Sequence, residues 1–170
     1  MSASGILRTV VTQLDAAGIP FMLTGSVAAA AYGAGRATMD VDLVIHANSA
    51  QLGQLVAALS GPDLYVSGDA AIEALANQSM FNVVDSTTGW KADLIIRKAR
   101  PFSVTEFDRR TPLEFEGMQL WVATVEDVIV AKLEWAKLGG SARQLLDRAY
   151  IERWVATLAL AAQWLAALEQ

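Results

Sequence analysis

Residues 21 to 45 read FMLTGSVAAAAYGAGRATMDVDLVI. A short apolar run, Phe21 to Leu23, reaches a Gly25-Ser26 turn. An alanine-rich segment to about Tyr32 has helical composition, with Ser26 as its expected N-cap, and Gly33 and Gly35 end it. A second apolar run, Val41 to Ile45, follows and carries Asp40 and Asp42 at its start. Side chains two residues apart on a strand share a face, so both carboxylates are expected on one side and Val41 and Leu43 on the other. Strand, turn, helix and returning strand predict a sheet flanked by helices, with two acids beside a glycine turn. Such a pair suits a hard cation such as Mg²⁺, which prefers oxygen ligands.

Composition narrows the chemistry. The 170 residues are 54% hydrophobic and 18% charged, which suits one domain with a sizeable core and excludes a disordered chain. The absence of cysteine removes disulfides, thiolate metal sites and cysteine nucleophiles. The single histidine, His46, removes a multi-histidine zinc site, and its place after the second strand suits a structural or exposed residue. The N-terminus does not read as a signal peptide and no stretch has the apolar length of a membrane span, so a cytoplasmic location without membrane contact is expected. A net charge of −5 argues against indiscriminate nucleic-acid binding. Yet six of the thirteen Lys and Arg fall between 91 and 110: Lys91, Arg97, Lys98, Arg100, Arg109 and Arg110. They predict either a solvated loop or a contact surface for a polyanion.

Outward from the opening stretch, apolar spacing predicts a helix over 3–17, stopped by Gly18. Further helices are expected over 49–59, capped by Asn48 or Ser49, and over 69–77, capped by Ser67 or Asp69, with an extended piece at 64–66 between them. Phe81 to Asp85 and Lys91 to Ile96 form an expected hairpin around Ser86 to Gly89. Asp93 interrupts the apolar run of the second of these strands, placing it near an exposed strand start or facing a site. Residues 101–112 read as irregular between Pro101 and Pro112. A second hairpin is expected over 113–122, with its turn at Glu116-Gly117. Thr124 and Asp127 then open a helix to about Leu138. Ser141 is expected to cap a further segment, and a last amphipathic helix follows from Ile151. The expected organisation is an α/β core over 1–123 and a helical C-terminal extension over 124–170, packed on the core as a single compact domain.

Free N–H groups at the Gly25-Ser26 turn could seat a phosphate. Thirteen residues separate Ser26 from Asp40, enough for a helix and a return into the adjacent strand. Asp93 would bring a third acid to the same sheet. Three carboxylates around two Mg²⁺ ions could serve phosphoryl transfer.

These residues resemble the nucleotidyltransferase superfamily with the polymerase-β-like fold. Its signature joins an apolar residue, Gly with Gly or Ser, a gap, and Asp-x-Asp between apolar residues. Leu23-Thr24-Gly25-Ser26 and Met39-Asp40-Val41-Asp42-Leu43 match it, with Thr24 where an apolar residue is usual. The segment from Gly33 to Asp42 resembles the branch of small bacterial proteins grouped with the AbiEii-type toxins. The resemblance spans about residues 18–150. It implies a mixed sheet flanked by helices (α+β or α/β) and a helical C-terminal tail.

The implied activity is Mg²⁺-dependent transfer of a nucleoside monophosphate from a nucleoside triphosphate to an acceptor hydroxyl. Asp40, Asp42 and Asp93 would be the metal-binding and catalytic acids, with two Mg²⁺ ions, and Gly25 and Ser26 would hold phosphates. Arg36 could contact phosphate or only pin its loop, while Lys132 could contact the triphosphate or lie along its helix. Asp93 could instead be an ion-pair partner of Lys91 or Arg97. Ser141 to Asp147 resembles the next family element, with Asp147 either the family's acid or the start of the last helix. The acceptor could be RNA, a protein or a small molecule, and a toxin would have a cognate antitoxin. The alternative from another class is a non-catalytic binding or regulatory module that keeps the fold.

Overall fold

The computed structural model describes residues 3–32, 40–137 and 161. The chain divides into two compact units, Met1–Val128 and Ile129–Gln170. The first opens with α1 (Ala3–Ala16), β1 (Phe21–Thr24), α2 (Gly25–Ala31), β2 (Asp40–Ile45) and α3 (Ser49–Leu59). It continues through β3 (Leu64–Val66), α4 (Gly68–Asn77), β4 (Met80–Asp85), β5 (Lys91–Ile96) and α5 (Pro101–Asp108). The hairpin β6 (Thr111–Phe115) and β7 (Met118–Val122) leads into α6 (Val125–Lys137), which continues into the second unit.

The seven strands form one mixed sheet in the order β3-β4-β5-β2-β1-β7-β6. β2 runs parallel to β5, and β1 parallel to β7; the remaining neighbours are antiparallel. This is the mixed α/β architecture expected from the sequence. Leu23, Leu43, Ile45, Phe81 and Leu94 from the strands, with Ile6, Leu14, Leu55 and Leu59 from the helices, are almost wholly buried. Each such side chain contributes on the order of 1.5–3 kcal/mol on leaving water, and together they fix which strand face turns inward.

Local signals set most boundaries. Asn48 caps α3 through a full capping box: its side chain accepts from the Gln51 N–H at 2.9 Å, and Gln51 Oε1 accepts from the Asn48 N–H at 3.1 Å. Ser67 caps α4. Thr124 Oγ1 donates to Asp127 Oδ2 at 2.7 Å, as its spacing predicts.

Two local expectations are corrected. Residues 101–112 are not irregular. Pro101 occupies the first turn of α5, where a missing N–H costs nothing, and Pro112 lies in β6, an edge strand that tolerates it. Ser26 is not the cap of α2 either. Thr24 holds that position without a side-chain bond, and Ser26 lies inside the first turn. The expected stops at Gly33 and Gly35, the expected helix end near Leu138, and the segments from Ser141 onward with Asp147 lie outside the described residues. No helix among the described residues is long and apolar enough to cross a membrane.

Candidate active site

β2 is central, hydrogen-bonded to β1 on one side and β5 on the other. In its register Asp42 faces Thr24 of β1 and Asp93 of β5, while Asp40 faces Lys91. Paired residues on neighbouring strands share a face, and so do Asp40 and Asp42, two apart. Sheet geometry therefore brings Asp40, Asp42 and Asp93 to one face, beside the turn where β1 becomes α2. Val41, Leu43, Ala92 and Leu94 are buried and hold both strands in this register.

Gly25 fits this turn for two reasons. Its φ is +67°, a left-handed conformation costly to residues bearing a Cβ. A Cβ there would also meet the Asp42 carboxylate, with Oδ2 at 2.0 Å and Cγ at 2.7 Å. The turn is thus built against the acid that the D-x-D pattern supplies. The Ser26 backbone donates a hydrogen bond that stabilises the charged Asp42 carboxylate. That N–H, expected at a phosphate, serves an acid of the cluster.

The electrostatics are uneven. Burial is the largest influence on Asp42, and the neighbouring Asp93 and Asp40 charges add to it, pushing its pKa up to about 6. Lys91 and the Ser26 N–H pull the other way. Asp93 is only 7% exposed. Its Oδ1 accepts from Asn82 Nδ2 across the β4–β5 pair, and its Oδ2 lies 3.5 Å from Lys91 Nζ. The same ammonium lies 3.3 Å from Asp40 Oδ1.

Of the two alternatives the sequence left for an ion-pair partner of Asp93, Lys91 or Arg97, the structure pairs Lys91 with it. Asn82 and the second pairing of Lys91, with Asp40, are what sequence reasoning missed. Asn82 was legible by counting back through the hairpin at Ser86 to Gly89, which sets it against Asp93. Lys91 is two residues before Asp93, on the same face.

The donor chemistry of the cluster suits a divalent cation. Three carboxylates from adjacent strands carry more negative charge than Lys91 neutralises, and this surplus adds to burial, the larger cause, in raising the Asp42 pKa. Oxygen donors with surplus negative charge fit a hard ion. In the present arrangement no group of three His, Cys, Asp or Glu among the described residues is gathered closely enough to hold one. The Lys91 ammonium bridges Asp40 and Asp93.

Arg36 lies outside the described residues. Lys132 is half-buried on α6 in the second compact unit. The basic segment 91–110 is neither a loop nor one surface. Lys91 joins the acids, Arg109 pairs with Glu126 and Asp127, and Arg97 and Arg110 stack on Phe107. His46 follows the far end of β2, exposed overall but with its ring partly desolvated beside Phe107.

No protein-family model and no curated protein sequence matches this chain. Solved structures do. A nucleotidyltransferase-labelled protein of Thermotoga maritima, TM1012, aligns at 14% identity with a TM-score of 0.55, over 89% of this chain and 91% of that one. ANT(2'')-Ia, solved in complex with adenylyl-2''-tobramycin, aligns at 14% identity with a TM-score of 0.57, over 96% of this chain and 92% of that one. JHP933 of Helicobacter pylori aligns at 23% identity with a TM-score of 0.43, over 76% of this chain, which spans 54% of that protein's length. At these identities the likeness is one of architecture: this chain shares its fold with TM1012 and ANT(2'')-Ia.

Proposed function

We propose that the chain is a Mg²⁺-dependent nucleotidyltransferase that moves a nucleoside monophosphate from a nucleoside triphosphate such as ATP to an acceptor hydroxyl. The observation that carries this reading is the seating of the Asp42 carboxylate against the Cα of Gly25, with Asp93 in register beside it. Asp40 and Asp42 would hold the ions and Asp93 would complete the set. Bound ions would supply charge neutralisation at the phosphates and favour the deprotonated acceptor. The acceptor oxygen forms a bond to the α-phosphorus, the bond to the β-phosphate oxygen breaks, and pyrophosphate leaves with its electron pair. The acceptor proton passes to a carboxylate of the cluster or to water.

The turn at Gly25 and Ser26 would lie against the β- and γ-phosphates, since glycine permits close approach and the Ser26 hydroxyl can donate. Arg36 and Lys132 would add cationic contacts. The AbiEii-like segment Gly33 to Asp42 supports a toxin role in a toxin–antitoxin pair, with an RNA or protein acceptor and a cognate antitoxin in the cytoplasm.

The test is incubation with each α-labelled nucleoside triphosphate and Mg²⁺, in the presence of total RNA, cell protein or an aminoglycoside. Label is expected on one acceptor class with release of pyrophosphate. The double variant Asp40→Asn with Asp42→Asn is expected to lose roughly a thousandfold or more of this activity while keeping the fold. Absence of transfer to every acceptor from the wild-type protein would leave the non-catalytic module as the better reading.

A further inference from the structure

Lys91 is placed by the β2–β5 register directly across from Asp40, and it precedes Asp93 by two residues on the same strand face. Its ammonium lies 3.3 Å from Asp40 Oδ1 and 3.5 Å from Asp93 Oδ2. It therefore joins Asp40 of β2 to Asp93 of β5. Two neutral groups also contact the cluster: the Asn82 amide on Asp93 and the Ser26 N–H on Asp42. The side chain of Lys91 is 39% exposed, and that of Asp40 is 44% exposed. The ammonium can thus swing into water without breaking the core.

We infer that Lys91 is an internal counter-cation of the acid cluster, and that a divalent ion enters by displacing it. This inference rests on the metal-dependent reading above. An ammonium and a divalent ion compete for the same carboxylate oxygens, and two cations side by side repel. With Lys91 in place, the charge of Asp40 and Asp93 is partly neutralised before any metal arrives. Metal affinity is lowered by the energy of two partly exposed ion pairs. Lys91 acts through the acids, so it is a positioning residue and not a catalytic one.

The test compares the wild-type protein with Lys91→Met and Lys91→Arg, titrating Mn²⁺ alone by calorimetry and recording the metal-free melting temperature of each. Lys91→Met keeps most of the apolar stem and removes the charge. Its metal-free protein should melt below wild type, and it should bind Mn²⁺ about five- to tenfold more tightly. Lys91→Arg keeps the charge and should remain near wild type in both. A merely structural lysine would lower the melting temperature without tightening metal binding. Equal or weaker Mn²⁺ binding by Lys91→Met, against measurable binding by wild type, overturns the inference alone. Absence of Mn²⁺ binding by both proteins overturns the inference and the metal-dependent reading together.

Discussion

Strands β2 and β5 run parallel, so Asp40, Asp42 and Asp93 lie towards one end of the sheet while His46 and Arg97 leave it at the other. The six residues of each strand separate the two ends by roughly 17 Å at about 3.3 Å per residue. Like charges crowd at both ends, but they are accommodated differently. At the acidic end the neighbours are polar: a lysine, an asparagine and a backbone N–H. At the basic end the neighbours are aromatic. The Arg110 guanidinium lies 4.2 Å from the Phe107 ring centroid and 5.3 Å from that of Trp121, and Arg97 lies 5.6 Å from Phe107. The Nε of each arginine is buried without a hydrogen-bond partner among the described residues.

The difference separates a site from a support. Carboxylates held by displaceable polar partners can exchange them for an ion or a substrate. Guanidiniums stacked on rings gain roughly 0.5–1 kcal/mol each, and the stacking is lost if they turn away. The acidic end is therefore built to change partners, whereas the basic end is built to stay.

The sharpest way to break this contrast is Gly25→Ala. The added methyl would lie 2.0 Å from Asp42 Oδ2 and would force a φ of +67° on a residue with a Cβ. Backbone strain costs about 1 kcal/mol, and displacing the acid costs more, so a total near 3 kcal/mol is expected. Urea unfolding would measure it. Nucleotidyl transfer should fall at least a hundredfold even at a temperature where the variant is folded. An unchanged transfer rate would mean that the close approach of Gly25 to Asp42 has no part in the site.

Next in size is the pH dependence of the acidic end. The folded pKa of Asp42 is about 6 against an ordinary 3.8, so the fold disfavours its charge. For a raised carboxylate, the stabilising effect is fully present below the unfolded pKa and is lost as pH rises through the folded value. Between pH 4 and pH 7 the metal-free wild type should therefore lose on the order of 2–3 kcal/mol through this group. Asp42→Asn removes that dependence. The variant should exceed wild type in stability at pH 8, and the two should converge near pH 4. Asp85, held near 2 chiefly by the Thr87 hydroxyl, titrates identically in both proteins and cancels in the difference. Equal pH profiles would place Asp42 in water.

How much of this was readable beforehand follows from the range of each interaction. Asp40, Asp42, Gly25 and Ser26 sit in one continuous pattern, and Asp93 shows as a charge in an apolar strand, so all five could be named from local sequence. The hairpin at Ser86 to Gly89 and the Asn48 cap are equally local. The β2–β5 pairing joins residues about fifty apart, and nothing near either strand states it. Lys91 thus read as one of six clustered cations and a candidate partner of Asp93, two residues away, but not as the partner of Asp40. Pro101 and Pro112 misled because proline's meaning depends on position: the first turn of a helix and a sheet edge both accept it.

The smallest expected effect tests the basic end, and it has a clean probe because His46 is the chain's one histidine. Its ring meets Phe107 edge-on with centroids 6.4 Å apart. Its pKa is lowered first by burial and then by the Arg97 charge, while Asp108 opposes both. Removing the Arg97 charge should therefore raise the His46 pKa, yet leave it below the ordinary value of 6.5 because burial, the larger cause, remains. Arg97→Met followed by an NMR titration of the imidazole reads this directly. Stability should change by less than about 1 kcal/mol, since the lost stacking on Phe107 is offset by relief of repulsion with Arg110. A downward shift would mean that the guanidinium is not beside the ring, whereas no shift would mean that water screens it. The predicted upward shift would show a cation fixed close to His46, in contrast to Lys91, which is placed to leave its partners.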